Sequence, residues 1–265
     1  MRFCLRQPKK LFQIKIYFMD STISPVIIVP ARLASVRFPE KLLADAGGKP
    51  LILRTADRIK EQVPDFELYF AVDGDDLKNI LEGSGYEVIL TNPNLPSGTD
   101  RIAAANQILK KSFVINVQAD EPMIEREHIL LLAHALSDDD VSVSTLASPF
   151  LNEIDFLDPN QVKVVLDDND YALYFSRAPI PYDRDKTYSK DDENFKLGLK
   201  HMGLYGYRKE FLEKFIFSKE GELEKIEKLE QLRALQLGYR IAVKITNKVS
   251  VGVDIPADLE KIYFS

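Results

Sequence analysis

Between Val26 and Pro50 the chain reads VIIVPARLASVRFPEKLLADAGGKP, which sets Arg32, Arg37 and Lys41 among small and turn-forming residues. Guanidinium groups pair bidentately with phosphate oxygens and an ammonium acts as a point charge, so these three cations on one loop suit a polyphosphate. A solvated basic loop is the plainer alternative, since lysine and arginine are common at surfaces. Farther on, Ser97-Gly98-Thr99-Asp100-Arg101 opens a helical stretch. A small turn there offers backbone N–H groups to an anion, with simple N-capping as the alternative. Gln118-Ala119-Asp120-Glu121-Pro122 follows the apolar run 113–117. A carboxylate at such a strand end suits Mg2+, which takes one or two carboxylates together with substrate phosphates; capping of the next helix is the other use for Asp120. Asp254 stands just before a last helix, where on its own it reads as an N-cap. His201 and Tyr205 fall on one face of a strand at a spacing of four, and a lone strand histidine is more often structural than catalytic.

These groups need a frame that brings them together. Val26 to Val29 reads as a buried parallel strand, and ligands of open α/β sheets lie beyond the carboxyl ends of such strands. Leu51 to Gln62 has apolar residues at helical spacing and is stopped by Pro64-Asp65. A strand over 66–72, a short helix over 75–81 and a strand over 86–90 follow, giving the order βαβαβ of a doubly wound parallel sheet. No G-x-G-x-x-G follows the first strand, so the dinucleotide fingerprint is absent and a nicotinamide-dependent oxidoreductase is disfavoured. A helix through Leu109, a strand over 113–117, a helix over 125–136 and a strand over 141–148 continue the pattern. Past Leu151 the character changes. Two β-rich runs, 161–166 and 171–177, flank Asp167-Asp168-Asn169-Asp170 and predict an antiparallel hairpin insertion. A long polar loop spans Asp183 to Asn194. A strand over 200–207, one helix over 222–237, a strand over 239–245 and a helix over 256–262 complete the expected order.

The 265 residues suffice for a sizeable core, and a net charge of −6 argues against non-specific nucleic-acid binding while leaving room for a small anionic substrate. The single cysteine, Cys4, has no internal partner, which points to a reducing, cytoplasmic setting. The chain has no apolar run long enough to span a bilayer. Residues 1–24 are basic and moderately apolar, and Gln13 and Lys15 interrupt any signal-peptide core. We expect them to lie outside a single domain over 25–265, with Met19 as an alternative start.

The motifs VIIVPARLASVRFPEK, SGTDR, VINVQADEP, NQVKVVLD, YALYFSRAPIP, HMGLYGYR, KLEQLRAL and GVDIPADLE occur in this order. Together they make the chain strongly resemble the 3-deoxy-manno-octulosonate cytidylyltransferases, or CMP-KDO synthetases, from about Pro25 to Tyr263. The resemblance implies an α/β, Rossmann-like nucleotidyltransferase fold (GT-A-like) with a mostly parallel central sheet and a β-hairpin insertion. It implies a Mg2+-dependent homodimer that transfers CMP from CTP to the anomeric hydroxyl of 3-deoxy-D-manno-octulosonate (KDO), with release of pyrophosphate, for lipopolysaccharide synthesis. On this resemblance Arg32, Arg37 and Lys41 grip the triphosphate, Ser97 and Arg101 serve the cytidine side, and Asp120 and Asp254 hold Mg2+. Gln118 lies near the sugar, and Arg177, His201, Tyr205, Glu230 and Gln231 form the sugar pocket. Arg32, Lys41 and Asp120 are the residues expected to act on the reacting phosphates. Two positions depart from the family pattern. Ala119 replaces a common glycine, where its methyl group could crowd sugar or metal, and Tyr182 replaces a common tryptophan on the sugar-side loop. The alternatives are the same reaction on 8-amino-KDO or a nonulosonic acid, and a silent nucleotide-binding homologue.

Overall fold

The computed structural model describes residues 23–34, 38–185, 195, 197–250, 252–253 and 255–263. Arg37 and Asp254 therefore lie outside the described residues, as do residues 1–22 and the expected polar loop from 186 onward. Ile23 is partly buried against the core, so the packed body begins slightly before the expected boundary.

The first strand, β1 (Val26–Ala31), is buried at every position. Successive side chains of a strand point to opposite faces, so a strand covered on both sides must be apolar throughout. Ile27 and Val29 enter one core with residues of α1 (Leu51–Gln62), α2 (Asp75–Gly83) and α4 (Arg126–Leu136). Val26 and Ile28 enter the other, with residues of α3 (Gly98–Leu109), α6 (Lys209–Ile216) and α8 (Gln231–Gln236). The sheet is completed by β2 (Leu68–Val72), β3 (Glu87–Leu90), β4 (Phe113–Asn116), β5 (Val143–Pro149), β8 (Leu199–Arg208) and β9 (Ile241–Ile245) in the order β3-β2-β1-β4-β8-β5-β9. Strands β1 to β4 run parallel, and β5 and β9 are parallel to each other. Between these sets β8 runs antiparallel to both β4 and β5. The expected hairpin is present as β6 (Lys163–Leu166) and β7 (Ala172–Ser176), attached to β8 through β6. Its turn is set by Asp167, whose Oδ1 accepts from the N–H groups of Asn169 and Tyr171 at 2.8 and 2.9 Å.

Three elements differ from the sequence expectation. The helix expected over 222–237 is two helices, α7 (Glu222–Glu227) and α8. Lys228 takes a left-handed conformation at φ 54°, which ends α7, and the break lets Leu229 and Leu232 both enter the core. Helices α5 (Glu153–Leu157) and α6 were not foreseen; the second packs Phe211, Leu212 and Phe215 into the core directly after β8. The helix after Asp120 starts only at Arg126, with Glu125 as its N-cap, so Asp120 does not cap it. At Gly206 on β8 an added Cβ would overlap Ser144 Oγ and come within 2.9 Å of Leu136 Cδ1, so a glycine is what lets α4 lie against the sheet there. The last helix, α9 (Asp258–Tyr263), follows the segment at Gly252-Val253 that returns to the end of β4.

Candidate active site

The loop after β1 and the end of β4 meet at an ion pair. Lys41 opens a short 3-10 turn, Lys41–Leu43, and its Nζ donates to Asp120 Oδ2 and, at 2.7 Å, to the carbonyl of Val253. The N–H of Val253 in turn donates to the carbonyl of Asp120 at 2.9 Å. Asp120 is thus beside the residue that precedes Asp254. Among the described residues no three His, Cys, Asp or Glu side chains gather as a metal cage. A site with a partly exposed carboxylate and few protein donors fits a hard cation such as Mg2+, which completes its shell with phosphates and water.

Ala119 sits between Gln118 and Asp120 with its methyl group in the core formed with α1 and α4, and its carbonyl accepts from Thr55 Oγ1 at 2.9 Å. The extra methyl is therefore accommodated away from the cavity. Arg32 is exposed after β1. Arg101 is buried beneath the same sheet end, where its Nη1 donates to Thr91 Oγ1. Burial pushes the Arg101 pKa down, Asp73 pushes it up, and Arg32 is close enough to oppose Asp73. The Arg101 guanidinium remains charged throughout. Asp73 also accepts from the N–H of Leu33 at 3.4 Å, fixing the start of the cationic loop.

Next to this edge lies a cavity of about 210 Å³, lined by the N-terminus of α3, by β8 and by α8. Gln118, Tyr205, Glu230 and Gln231, all expected at the sugar, line it. Ser97 is the N-cap of α3, accepting from the N–H of Asp100 at 3.2 Å, and its hydroxyl lies 3.0 Å from Glu230 Oε1. Thr99 Oγ1 donates to Glu230 Oε2 at 3.2 Å. The helix expected on the cytidine side is thereby joined to the carboxylate expected on the sugar side. Burial raises the Glu230 pKa, while Ser97, Arg233 and Thr99 lower it. Gln231 is nine-tenths buried, and its Nε2 is a buried donor without a protein acceptor. A buried donor of this kind costs free energy until a water or a ligand accepts from it.

The structure places two other expected residues differently. Arg177 turns its guanidinium onto backbone carbonyls, with Nε 2.7 Å from Glu227 O and Nη1 3.0 Å from Pro159 O. His201 is buried behind Tyr205, its ring centroid 5.4 Å from that of the tyrosine. Neither lines the cavity. The Thr145 hydroxyl donates to Leu204 O at 2.8 Å, so its oxygen accepts from His201 Nε2–H at 3.0 Å. Burial pushes the His201 pKa down to about 3. The ring is neutral near pH 7.

Sequence reasoning missed Asn116 and Tyr207, which also line the cavity. The Tyr207 hydroxyl faces the side chains of Thr99 and Asn116, between β4 and α3. The available signal was periodicity, because Tyr207 shares a strand face with Tyr205 and Asn116 shares one with Gln118. Tyr205 and Tyr207 stack at 5.6 Å, so the face is a continuous aromatic wall.

Comparison with known proteins agrees with this fold. A family model described as cytidylyltransferase matches residues 26–245. The 3-deoxy-manno-octulosonate cytidylyltransferase of Thermodesulfovibrio yellowstonii is 42% identical over 243 residues, covering 89% of this chain and 95% of the relative. That of Geobacter sulfurreducens is 44% identical over 240 residues, covering 89% and 96%. A solved structure of CMP:2-keto-3-deoxy-manno-octonic acid synthetase complexed with CTP superposes with a TM-score of 0.82 at 34% identity, covering 90% of this chain and 96% of that one. With its strand-end site built on this fold, the chain belongs to the 3-deoxy-manno-octulosonate cytidylyltransferases, a family of nucleotidyltransferases.

Proposed function

We infer that the chain transfers CMP from CTP to the anomeric hydroxyl of 3-deoxy-D-manno-octulosonate. The observation that supports this reading is the direct contact of Ser97 and Thr99, expected on the cytidine side, with Glu230, which lines the cavity of about 210 Å³. In the reaction the sugar oxygen forms a bond to the α-phosphorus as the bond to the bridging oxygen breaks. The hydroxyl proton passes to solvent, and pyrophosphate leaves.

Arg32 and Lys41 bind the triphosphate and offset the charge that grows on the leaving pyrophosphate. Glu230 and Gln118 accept from sugar hydroxyls, and the unpartnered Gln231 Nε2 donates to an acceptor oxygen of the sugar. Tyr205 and Tyr207 cover the sugar and exclude water. Asp120, with Asp254, would hold Mg2+, which would withdraw charge from the α-phosphate and lower the pKa of the attacking hydroxyl. In-line attack by the sugar hydroxyl needs no covalent enzyme intermediate. A homodimer working in the cytoplasm completes the reading; no helix among the described residues is long and apolar enough to cross a membrane.

The test is pyrophosphate release from CTP and Mg2+ with KDO, its 8-amino analogue and a sialic acid in parallel. Release with KDO is expected. Release only with the sialic acid would reassign the substrate, and silence with all three would favour a nucleotide-binding homologue without turnover.

A further inference from the structure

The ammonium of Lys41 ties three separate pieces of chain: the turn after β1, the end of β4 through Asp120, and the segment before α9 through Val253. We propose that Lys41 is a displaceable counter-ion that keeps a divalent cation off Asp120 until a polyphosphate draws the ammonium away. Nucleotide and metal then enter the site together. This rests on the reading of Asp120 as a metal ligand.

The argument is electrostatic and geometric. A carboxylate oxygen already neutralised by an ammonium attracts a second cation less strongly, and the direct contact puts that neutralising charge on Asp120 Oδ2 itself. The two side chains are 12% and 29% exposed, so bulk water screens the pair only in part. Lysine ends in a compact charge on a flexible four-carbon stem, so Nζ can pass from Asp120 to a phosphate oxygen without moving the backbone turn. Linkage makes the effect reciprocal: if nucleotide favours metal by removing Lys41, metal favours nucleotide by the same factor. The tie to Val253 O gives the ammonium a second neutral acceptor and keeps it near the site in either state.

Mn2+ takes the same hard oxygen ligands as Mg2+ and reports its own free concentration by paramagnetic resonance. The experiment titrates Mn2+ into the full chain and into Lys41→Met and Lys41→Gln, with and without CTP and with no acceptor sugar. Without CTP, both variants are expected to bind Mn2+ roughly tenfold more tightly than the unaltered chain, as befits loss of a charge-assisted hydrogen bond. CTP should tighten Mn2+ binding strongly in the unaltered chain and much less in the variants. Lys41→Gln keeps a donor for Val253 O, so a gain in both variants assigns the effect to charge, and it serves alone if Lys41→Met fails to fold. Equal or weaker Mn2+ binding in the variants, with binding still lost in Asp120→Asn, would overturn the counter-ion role while the metal site stood. Absence of Mn2+ binding in every chain, even with CTP, would overturn both.

Discussion

His201 offers a direct measure of how the sugar-side wall is built. Its pKa is about 3 in the folded chain against 6.5 for an unperturbed histidine. Between these values the unfolded chain binds a proton that the folded chain refuses, so stability falls as pH falls through this window and is unaffected by His201 above it. Each pH unit is worth about 1.4 kcal/mol, so at about pH 5 the penalty approaches about 2 kcal/mol. His201→Gln removes the titration and keeps a donor for Thr145 Oγ1. The assay is urea unfolding of both chains at about pH 7.5 and about pH 5. His128, also held down by burial, and Glu230, held up by burial, occur in both chains and cancel in the difference. The stability advantage of the unaltered chain should shrink by about 2 kcal/mol between the two conditions. An advantage that stays constant with pH would show that His201 titrates as in water and would refute the buried neutral ring.

Three other substitutions test the site and its frame. Asp120→Asn should lower kcat by about a hundredfold or more while the thermal midpoint changes by only a few degrees, because a group acting on the reacting phosphates contributes to the transition state. Near-normal turnover with unchanged Mg2+ dependence would remove Asp120 from that role. Ser97→Ala loses the α3 cap and the hydroxyl at Glu230, and should cost about 1 kcal/mol in stability while raising the sugar KM; an unchanged sugar KM would break the inferred link between the two half-sites. Gly206→Ala should destabilise by about 1–3 kcal/mol, read as a lower urea midpoint without loss of substrate affinity, because its Cβ has no room beside Leu136.

The first half of the fold is legible because each element there carries its own period. Leu51, Ile52, Ala56 and Ile59 repeat at helical spacing and are all buried, while the run beginning at Val26 needs two apolar faces. The reversal of β8 is not legible, since nothing in its residues distinguishes an antiparallel strand from a parallel one. The break at Lys228 is hidden for a related reason: no glycine or proline announces it, and the left-handed residue is accepted only because Leu229 and Leu232 then pack. At the site, residue types identify Glu230 and Gln231 once the motifs are set side by side. They do not reveal that Arg177 turns to backbone carbonyls or that His201 is neutral. The latter depends on burial among residues brought together only in the folded sheet, such as Thr145, which is 56 residues away.

The position of β8 also bears on the order in which the molecule assembles. Strands β2 and β3 pair with neighbours brought near by single crossover helices, and β4, which returns to β1, still precedes β8 in the chain, so that half can organise as its residues become available. Pairing Asn116 with Tyr205 closes a further long excursion of chain after β4 is in place, and such distant pairings slow folding. The cavity wall also needs α8, which comes later still. We therefore expect a nascent chain to assemble β1 to β4 before it can enclose a sugar, with acceptor binding as a late marker of a completed fold.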